Sequence, residues 1–386
     1  MFDLLVKDGT VIDPSQQIDG RYDISISDGK IASIAEEIPT SAARKIVDAK
    51  GRIVTPGLID LHTHVYWGAT RTGLNPDLTS LPKGVTTVLD CGSSGSTNFL
   101  GLRKFIIERS RTRVFALLHL SSIGLASPSG VTELEDFRNI DYDGAVEVAK
   151  ENRDVVLGVK IRLGVPPVSV VGRHGHLALR LAFEAAEDIG GFLMVHPKGI
   201  YPGVLIQDVL RILRKGDVLT HFLHPQYSGF PQVTIFNEEG KLLPEMWNAR
   251  KRGVVFDVGH GSGSLSFENA RKAFGEGFEP STISTDLFTT NVNGPVYDLP
   301  TTMSKFLNLG LSLERVVEMT TSRPAQVLGK QDEIGTLKPG VVADVAVFTV
   351  EEGAFTFRDV RRQSLVGNKR LVPNTVIRAG EVVAQS

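Results

Sequence analysis

A single cysteine in 386 residues, Cys91, excludes an internal disulfide framework and fits a reducing compartment. No apolar run reaches the roughly 18–20 residues that would span a bilayer. Charge of one sign is also lacking: the formal net charge of -2 gives no electrostatic reason to expect nucleic acid or an anionic membrane as partner. The stretch Met1-Phe2-Asp3-Leu4-Leu5-Val6-Lys7-Asp8 carries charges too early for a signal h-region. No dinucleotide fingerprint sits at a first strand-helix turn, which removes the usual oxidoreductase reading. Gly259–Ser264 is glycine-rich but lacks the Lys-Ser/Thr ending of a phosphate loop. What remains is a soluble, cytoplasmic protein whose expected partner is a small molecule, and whose length suits one large barrel or two ordinary domains.

Both ends of the chain read as strands. Residues 2–12, 22–27, 31–35 and 46–54 are short β-prone runs, with Asp8-Gly9 and Asp28-Gly29 as hairpin turn signals. Near the other end, 343–348, 355–358 and 374–384 are strand-like, with Ala379-Gly380-Glu381 as a turn. Neither end has enough apolar residues for a core of its own. Pairing 1–55 with 335–386 in one composite β-sandwich domain solves that problem and brackets a central domain, 56–334. There, eight predicted strands begin or end at 58–64, 85–91, 114–120, 155–163, 192–196, 218–223, 254–258 and 282–286. Helical patterns separate most of them; the clearest, 177–189, carries Leu177, Leu181 and Ala185 on one stripe and Arg180, Glu184 and Asp188 on another. Strand-helix alternation repeated about eight times over roughly 250 residues predicts an α/β fold, a (β/α)8 TIM barrel, with a doubly wound open sheet as the competitor.

The strand ends decide between these topologies. His62-Thr63-His64 closes the apolar run Leu58-Ile59-Asp60-Leu61, and on an extended strand both imidazoles face one side. Further along, Lys160, His196, His221, His260 and Asp286 each interrupt or close an apolar run, where a polar side chain is costly unless paired or bound. A closed barrel brings its first and eighth strand ends together, whereas an open sheet does not. Lys160, flanked by Val159 and Ile161, is either a buried ion-pair partner or a chemically altered group.

Taken in order, these marks make the chain resemble the amidohydrolase superfamily, in particular its amidohydrolase/deacetylase metallohydrolases. The resemblance rests on Pro56-Gly57-Leu58-Ile59-Asp60-Leu61-His62-Thr63-His64, on Lys160, His196, His221 and Asp286, and on the tail Gly335-Thr336-Leu337-Lys338-Pro339-Gly340-Val341-Val342-Ala343-Asp344. It implies a binuclear centre in which His62, His64 and Asp286 bind the more buried divalent ion and His196 and His221 the second. Lys160 would bridge both as N6-carboxylysine. Zinc suits these donors, with manganese, iron or cobalt as alternatives. The implied chemistry is attack of a metal-bridging hydroxide on a carbonyl, with Asp286 as general base and then acid.

The carbonyl attacked is an expectation of a finer kind. Dihydroorotases of this superfamily usually carry an arginine two residues beyond the second histidine; here that residue is Tyr66. No glutamate is placed to protonate a purine ring, as an adenine deaminase needs. Val254–Ser264, and Ser284–Leu287 followed by Asn291, Gly294-Pro295 and Asp298–Met303, resemble the deacetylase-like subgroup. The expectation is hydrolysis of an acetyl-like ester or amide of a small carboxylated molecule. The alternatives are a cyclic amide hydrolase, a D-aminoacylase-like deacylase and a barrel retained only for binding. Arg162, two residues beyond Lys160, is a candidate for the substrate carboxylate or else a structural arginine covering the barrel mouth; Tyr66, His260 and Asn291 are candidate pocket residues, with a satisfied histidine behind the ligands as the alternative for His260. Cys91 is read as a small buried residue, its alternative being a metal ligand as in D-aminoacylase-like relatives. His174 and His176 are assigned to a loop or lid, and His119 and His224 to the core. Association into homo-oligomers stays open.

Overall fold

The computed structural model describes residues 1–126, 133–163, 175–197, 204–225 and 234–385. In chain order the strands are β1 (Phe2–Asp13), β2 (Ile18–Ser27), β3 (Lys30–Ala35), β4 (Ala43–Asp48) and β5 (Ile53–Pro56). They are followed by β6 (Leu58–Thr63), β7 (Val85–Cys91), β8 (Arg113–His119), β9 (Val156–Arg162), β10 (Phe192–His196), β11 (Val218–Thr220) and β12 (Val255–Asp257). The last three are β13 (Val345–Arg358), β14 (Ser364–Arg378) and β15 (Glu381–Gln385).

The two chain ends share one mixed sheet, ordered β15-β14-β13-β5-β1-β2-β3, with β4 alongside β1. It folds over a core of Leu4, Val6, Val11, Ile24, Ile26, Val47, Val54, Val345, Val347 and Ile377, drawn from both ends. Two local expectations change. Asp8-Gly9 is a bulge inside β1, where the register shifts between Val6 and Gly9, and not a hairpin turn. The Asp8 side of the strand is held by Asp23, whose Oδ1 accepts from Asp8 N at 2.8 Å, so pairing with β2 continues past the irregularity. The run 46–54 is two strands, because Gly51 takes a left-handed φ of 73° and turns the chain between β4 and β5. Asp28-Gly29 and Ala379-Gly380 do sit between paired antiparallel strands.

The central strands form a parallel sheet in sequence order, β6 to β12. A parallel sheet covered on both faces needs apolar residues on both, and all of β6 and β7 is buried. The helices Tyr142–Glu151, Gly175–Asp188, Pro244–Arg252, Phe267–Gly275 and Leu299–Asn308 follow the strands. The curled sheet is a TIM barrel, and it closes through a segment that is not a regular strand. Residues 282–287 make isolated parallel bridges, Asp257 with Thr282 and Thr63 with Leu287. The expected eighth strand is therefore present in place but not in ladder geometry. Asp286 turns to a φ of 48°, and the side chains of Thr282, Ser284 and Thr285 bond to buried carboxylates on β12 and β6.

Strand contact in the barrel is close enough to require glycine at β9. A Cβ on Gly158 would lie 2.0 Å from the Phe192 carbonyl oxygen on β10, and backbone cannot yield as a side chain can. Gly158→Ala is expected to destabilise the protein by about 1–3 kcal/mol through overpacking. Urea titration should show a lower midpoint at unchanged slope.

Candidate metal centre

β6 delivers His62, and His64 follows one residue beyond its end. His221 follows β11 in the same way, and both His221 (φ 64°) and Asp286 (φ 48°) are non-glycine residues in left-handed backbone. Such conformations cost roughly 1–3 kcal/mol and persist only when their surroundings impose them. The turns aim both side chains across the barrel axis. One donor atom each from His62, His221 and Asp286 lies within 4.8 Å of the others, and all three residues are buried. Asp286 Oδ1 is 3.1 Å from His64 Nε2 and 3.6 Å from His62 Nε2, and Asp286 Oδ2 is 3.8 Å from His221 Nε2. The His196 ring stands 4.2 Å from that of His221, centroid to centroid. Lys160, fully buried on β9, places Nζ 3.0 Å from His62 Nε2 and 3.2 Å from Met194 Sδ. The structure thus brings His62, His64, Lys160, His196, His221 and Asp286 to one end of the barrel.

Each orienting bond uses the ring nitrogen that faces away from this centre. His62 Nδ1 lies 2.9 Å from Thr220 Oγ1, His64 Nδ1 3.0 Å from Ser93 Oγ, and His221 Nδ1 2.5 Å from the Gly259 carbonyl oxygen. Thr220 Oγ1 in turn donates to Asp257 Oδ2 at 2.8 Å, so it accepts from His62 and fixes the proton on Nδ1. Nε2 of His62 is then the lone-pair nitrogen turned inward. This is the arrangement a histidine ligand needs.

Charge follows burial. Burial lowers the His62 pKa well below its ordinary value and also lowers that of the Lys160 ammonium. Burial raises the Asp286 carboxyl, but His62, His64 and Lys160 together outweigh it and hold the group below the usual carboxylate range. Three further carboxylates surround the centre; Asp60 and Asp257 lie within the stretches that carry the resemblance, but none of the three was assigned a role from sequence. Asp60 accepts from Thr285 N and Thr285 Oγ1, and burial pushes its pKa up to about 7. Asp90 accepts from the backbone of Val65 and Ser93, and Asp257 from Thr220, Thr282 and Ser284. The signal for all three was an aspartate inside an apolar strand run.

The candidate pocket residues fare differently. Tyr66 is buried and its hydroxyl donates to the Asn98 carbonyl. Asn291 is buried, donating to the Asp286 carbonyl at 2.7 Å and accepting from Phe288 N at 2.9 Å; it braces the turn that aims Asp286. His260 is fully buried with Nδ1 on the Gly261 carbonyl and Nε2 against Lys305. The polar atoms of all three thus have protein partners within hydrogen-bond distance. Arg162 remains partly exposed, its Nε 3.3 Å from Glu133 Oε1, a buried carboxylate that sequence reasoning missed; His119 Nε2 is 3.5 Å from the same oxygen. Cys91 is buried with Sγ directed at the Leu61 carbonyl, and burial pushes its thiol well up. His224 is buried, with Nδ1 on the Pro225 carbonyl. His176 is exposed in the first turn of the helix Gly175–Asp188, and His174 lies outside the described residues.

A TIM barrel whose strand ends converge four histidines, a lysine and an aspartate belongs to the class of metal-dependent hydrolases. More narrowly, the chain belongs to the amidohydrolase family, whose sequence model matches residues 53–383. It is similar to a deacetylase of Agrobacterium fabrum (strain C58), at 35% identity over 363 residues covering 93% of this chain and 86% of the relative. Among solved structures it resembles an adenine deaminase, with a TM-score of 0.88 at 31% identity, and a dihydroorotase, with 0.87 at 32%; each comparison covers 99% of both chains. The chain is a hydrolase acting on C-N bonds, of a family that generally uses divalent metals. Among the described residues, no helix is long and apolar enough to cross a membrane.

Thr220→Val keeps the shape but removes the hydroxyl that sets the His62 tautomer. Zinc affinity, read by competition with a chromophoric chelator, is expected to fall about 10–100-fold. Stability should fall by about 1–3 kcal/mol, because Asp257 loses a buried partner.

Proposed function

We propose that this enzyme removes an acyl group of acetyl size from an ester or amide of a small, carboxylated molecule. The observation that carries the reading is the convergence of six buried donor residues, with the Nδ1 atoms of His62, His64 and His221 committed elsewhere. In it, His62, His64 and Asp286 would hold one divalent ion, and His196 and His221 the other. Zinc is the proposed metal, as the common choice for nitrogen and oxygen donors in hydrolytic sites. When bound, such a pair of ions supplies a water of lowered pKa and polarises the scissile carbonyl.

Lys160 is proposed as a carbamate. Its amine nitrogen adds to carbon dioxide, an N–C bond forms, and the nitrogen loses a proton, leaving an anionic pair of oxygens between the two ligand groups. Burial supports this, because it favours the neutral amine that can react. Asp286, ionised at neutral pH, takes the proton from the attacking water at a carboxylate oxygen and returns it to the departing nitrogen or oxygen. Asn291 holds the backbone of Asp286 during this transfer.

Two observations favour deacylation over opening of a cyclic amide. The similar Agrobacterium protein is named a deacetylase. In addition, the position two residues past His64 holds Tyr66, whose hydroxyl is occupied by Asn98, and not an arginine able to grip a dihydroorotate carboxylate. Arg162 is the proposed carboxylate contact here.

A substrate panel tests the reading: acetylated amino acids and hydroxy acids against dihydroorotate and hydantoins. Turnover of the acetyl compounds alone is expected, and turnover of the cyclic ureides alone would overturn it. Arg162→Met should raise KM for carboxylated substrates about 10–100-fold, the worth of a charge-assisted pair, and leave uncharged acetyl esters unchanged. Wild-type protein should carry about two metal equivalents. Lys160→Ala should lower that content and abolish turnover, whereas full retention of metal would point to Cys91 as the bridge.

A further inference from the structure

Lys305 lies in the helix Leu299–Asn308 and is only 1% exposed. Its Nζ is 2.6 Å from the Pro295 carbonyl oxygen and 2.7 Å from His260 Nε2. The other ring nitrogen of His260 settles the direction of that second bond. Nδ1 sits 2.9 Å from the Gly261 carbonyl, which can only accept, so Nδ1 carries the hydrogen and Nε2 is a lone pair. Lys305 therefore donates to His260. It does so charged or neutral, and burial has brought its pKa down to about 7. Asp359 and Asp298 act on it only through space. A buried amine resting on an imidazole and one carbonyl is a costly device, and its cost asks what it holds.

It holds the arc Gly259-His260-Gly261. The Gly259 carbonyl accepts from His221 Nδ1 at 2.5 Å. A Cβ on Gly259 would stand 2.7 Å from that nitrogen, and a Cβ on Gly261 would stand 2.5 Å from Asp286 Oδ2. Both glycines are left-handed, at φ 48° and 51°, so the arc is pressed against His221 on one side and Asp286 on the other. Its backbone is tied to the closing segment by His260 N to the Ser284 carbonyl and Gly261 N to the Thr285 carbonyl. The His260 ring ties the arc to the helix Leu299–Asn308, and Lys305 is where that tie ends.

We propose that Lys305 is a positioning residue for the metal centre: by pinning His260 it fixes the Gly259–Gly261 arc, and through that arc the proton on His221 Nδ1 and the wall beside Asp286. This rests on the metal-centre reading above. The test measures zinc affinity by chelator competition and the visible spectrum of the cobalt-substituted protein, in wild type, Lys305→Met, His260→Leu and the double variant. Each single change is expected to weaken zinc about 10–100-fold and to alter the cobalt bands. The double variant should be no worse than the weaker single, since the two residues act as one unit. Wild-type zinc affinity and spectrum in Lys305→Met, with only a lowered melting temperature, would show a purely structural lysine and overturn the inference. So would losses that multiply in the double variant. If Lys305→Met does not fold, His260→Leu decides by the same readouts. Failure of folded wild type to bind zinc or cobalt would instead refute the metal-centre reading, and this inference with it.

Discussion

The backbone bond from Asp286 N to the His62 carbonyl, 2.7 Å long, joins the last segment of the barrel to the first. Everything at the centre depends on that closure. It brings Asp286 beside His62 and His64, which lie more than two hundred residues away in sequence. A ladder of regular strand bonds would have closed the sheet too, but would have sent the Asp286 side chain elsewhere. The left-handed turn at Asp286 replaces ladder geometry with side-chain bonds, Thr285 to Asp60 and Thr282 and Ser284 to Asp257. Closing the barrel and aiming the aspartate are one event.

Those two aspartates carry a second burden. A buried carboxylate is tolerable only if its oxygens are satisfied, and here hydroxyl and amide donors supply that satisfaction. Asp257, on β12, gathers Thr220 from β11 on one side and Thr282 and Ser284 from the closing segment on the other, and through Thr220 it reaches His62. The same group thus seals the barrel and sets which nitrogen of His62 faces the centre.

Much of this was legible in the chain, and the parts that were not share a cause. His62 and His64 announced themselves because a strand's period of two puts alternate residues on one face. Lys160, His196 and His221 did so because each breaks an apolar run. His260 broke an apolar run in the same way, and Tyr66 and Asn291 lie beside such marks; the structure adds the protein partners of their polar atoms. Proximity along the chain says which end of the barrel a residue occupies, but not which way its polar atom turns. Glu133 and Lys305 carried no sequence signal. One comes from the connection after β8 and the other from a helix, and they matter only through what folds against them.

The sequence by itself determined the alternation of strand and helix, the union of both termini in one sheet, and the set of donors at the strand ends. These follow from local periodicity and from the cost of placing a polar group in an apolar run, and both are properties of neighbouring residues. Only the tertiary structure decided that the eighth strand gives way to bonded side chains, that Asp8-Gly9 is a bulge, and which ring nitrogen of His62, His64 and His221 looks inward. Those outcomes depend on partners such as Thr220, Ser93 and Gly259, brought within hydrogen-bond distance by the closed barrel. A hydrogen bond is directional and short, so its choice of partner exists only once the fold has set the distances.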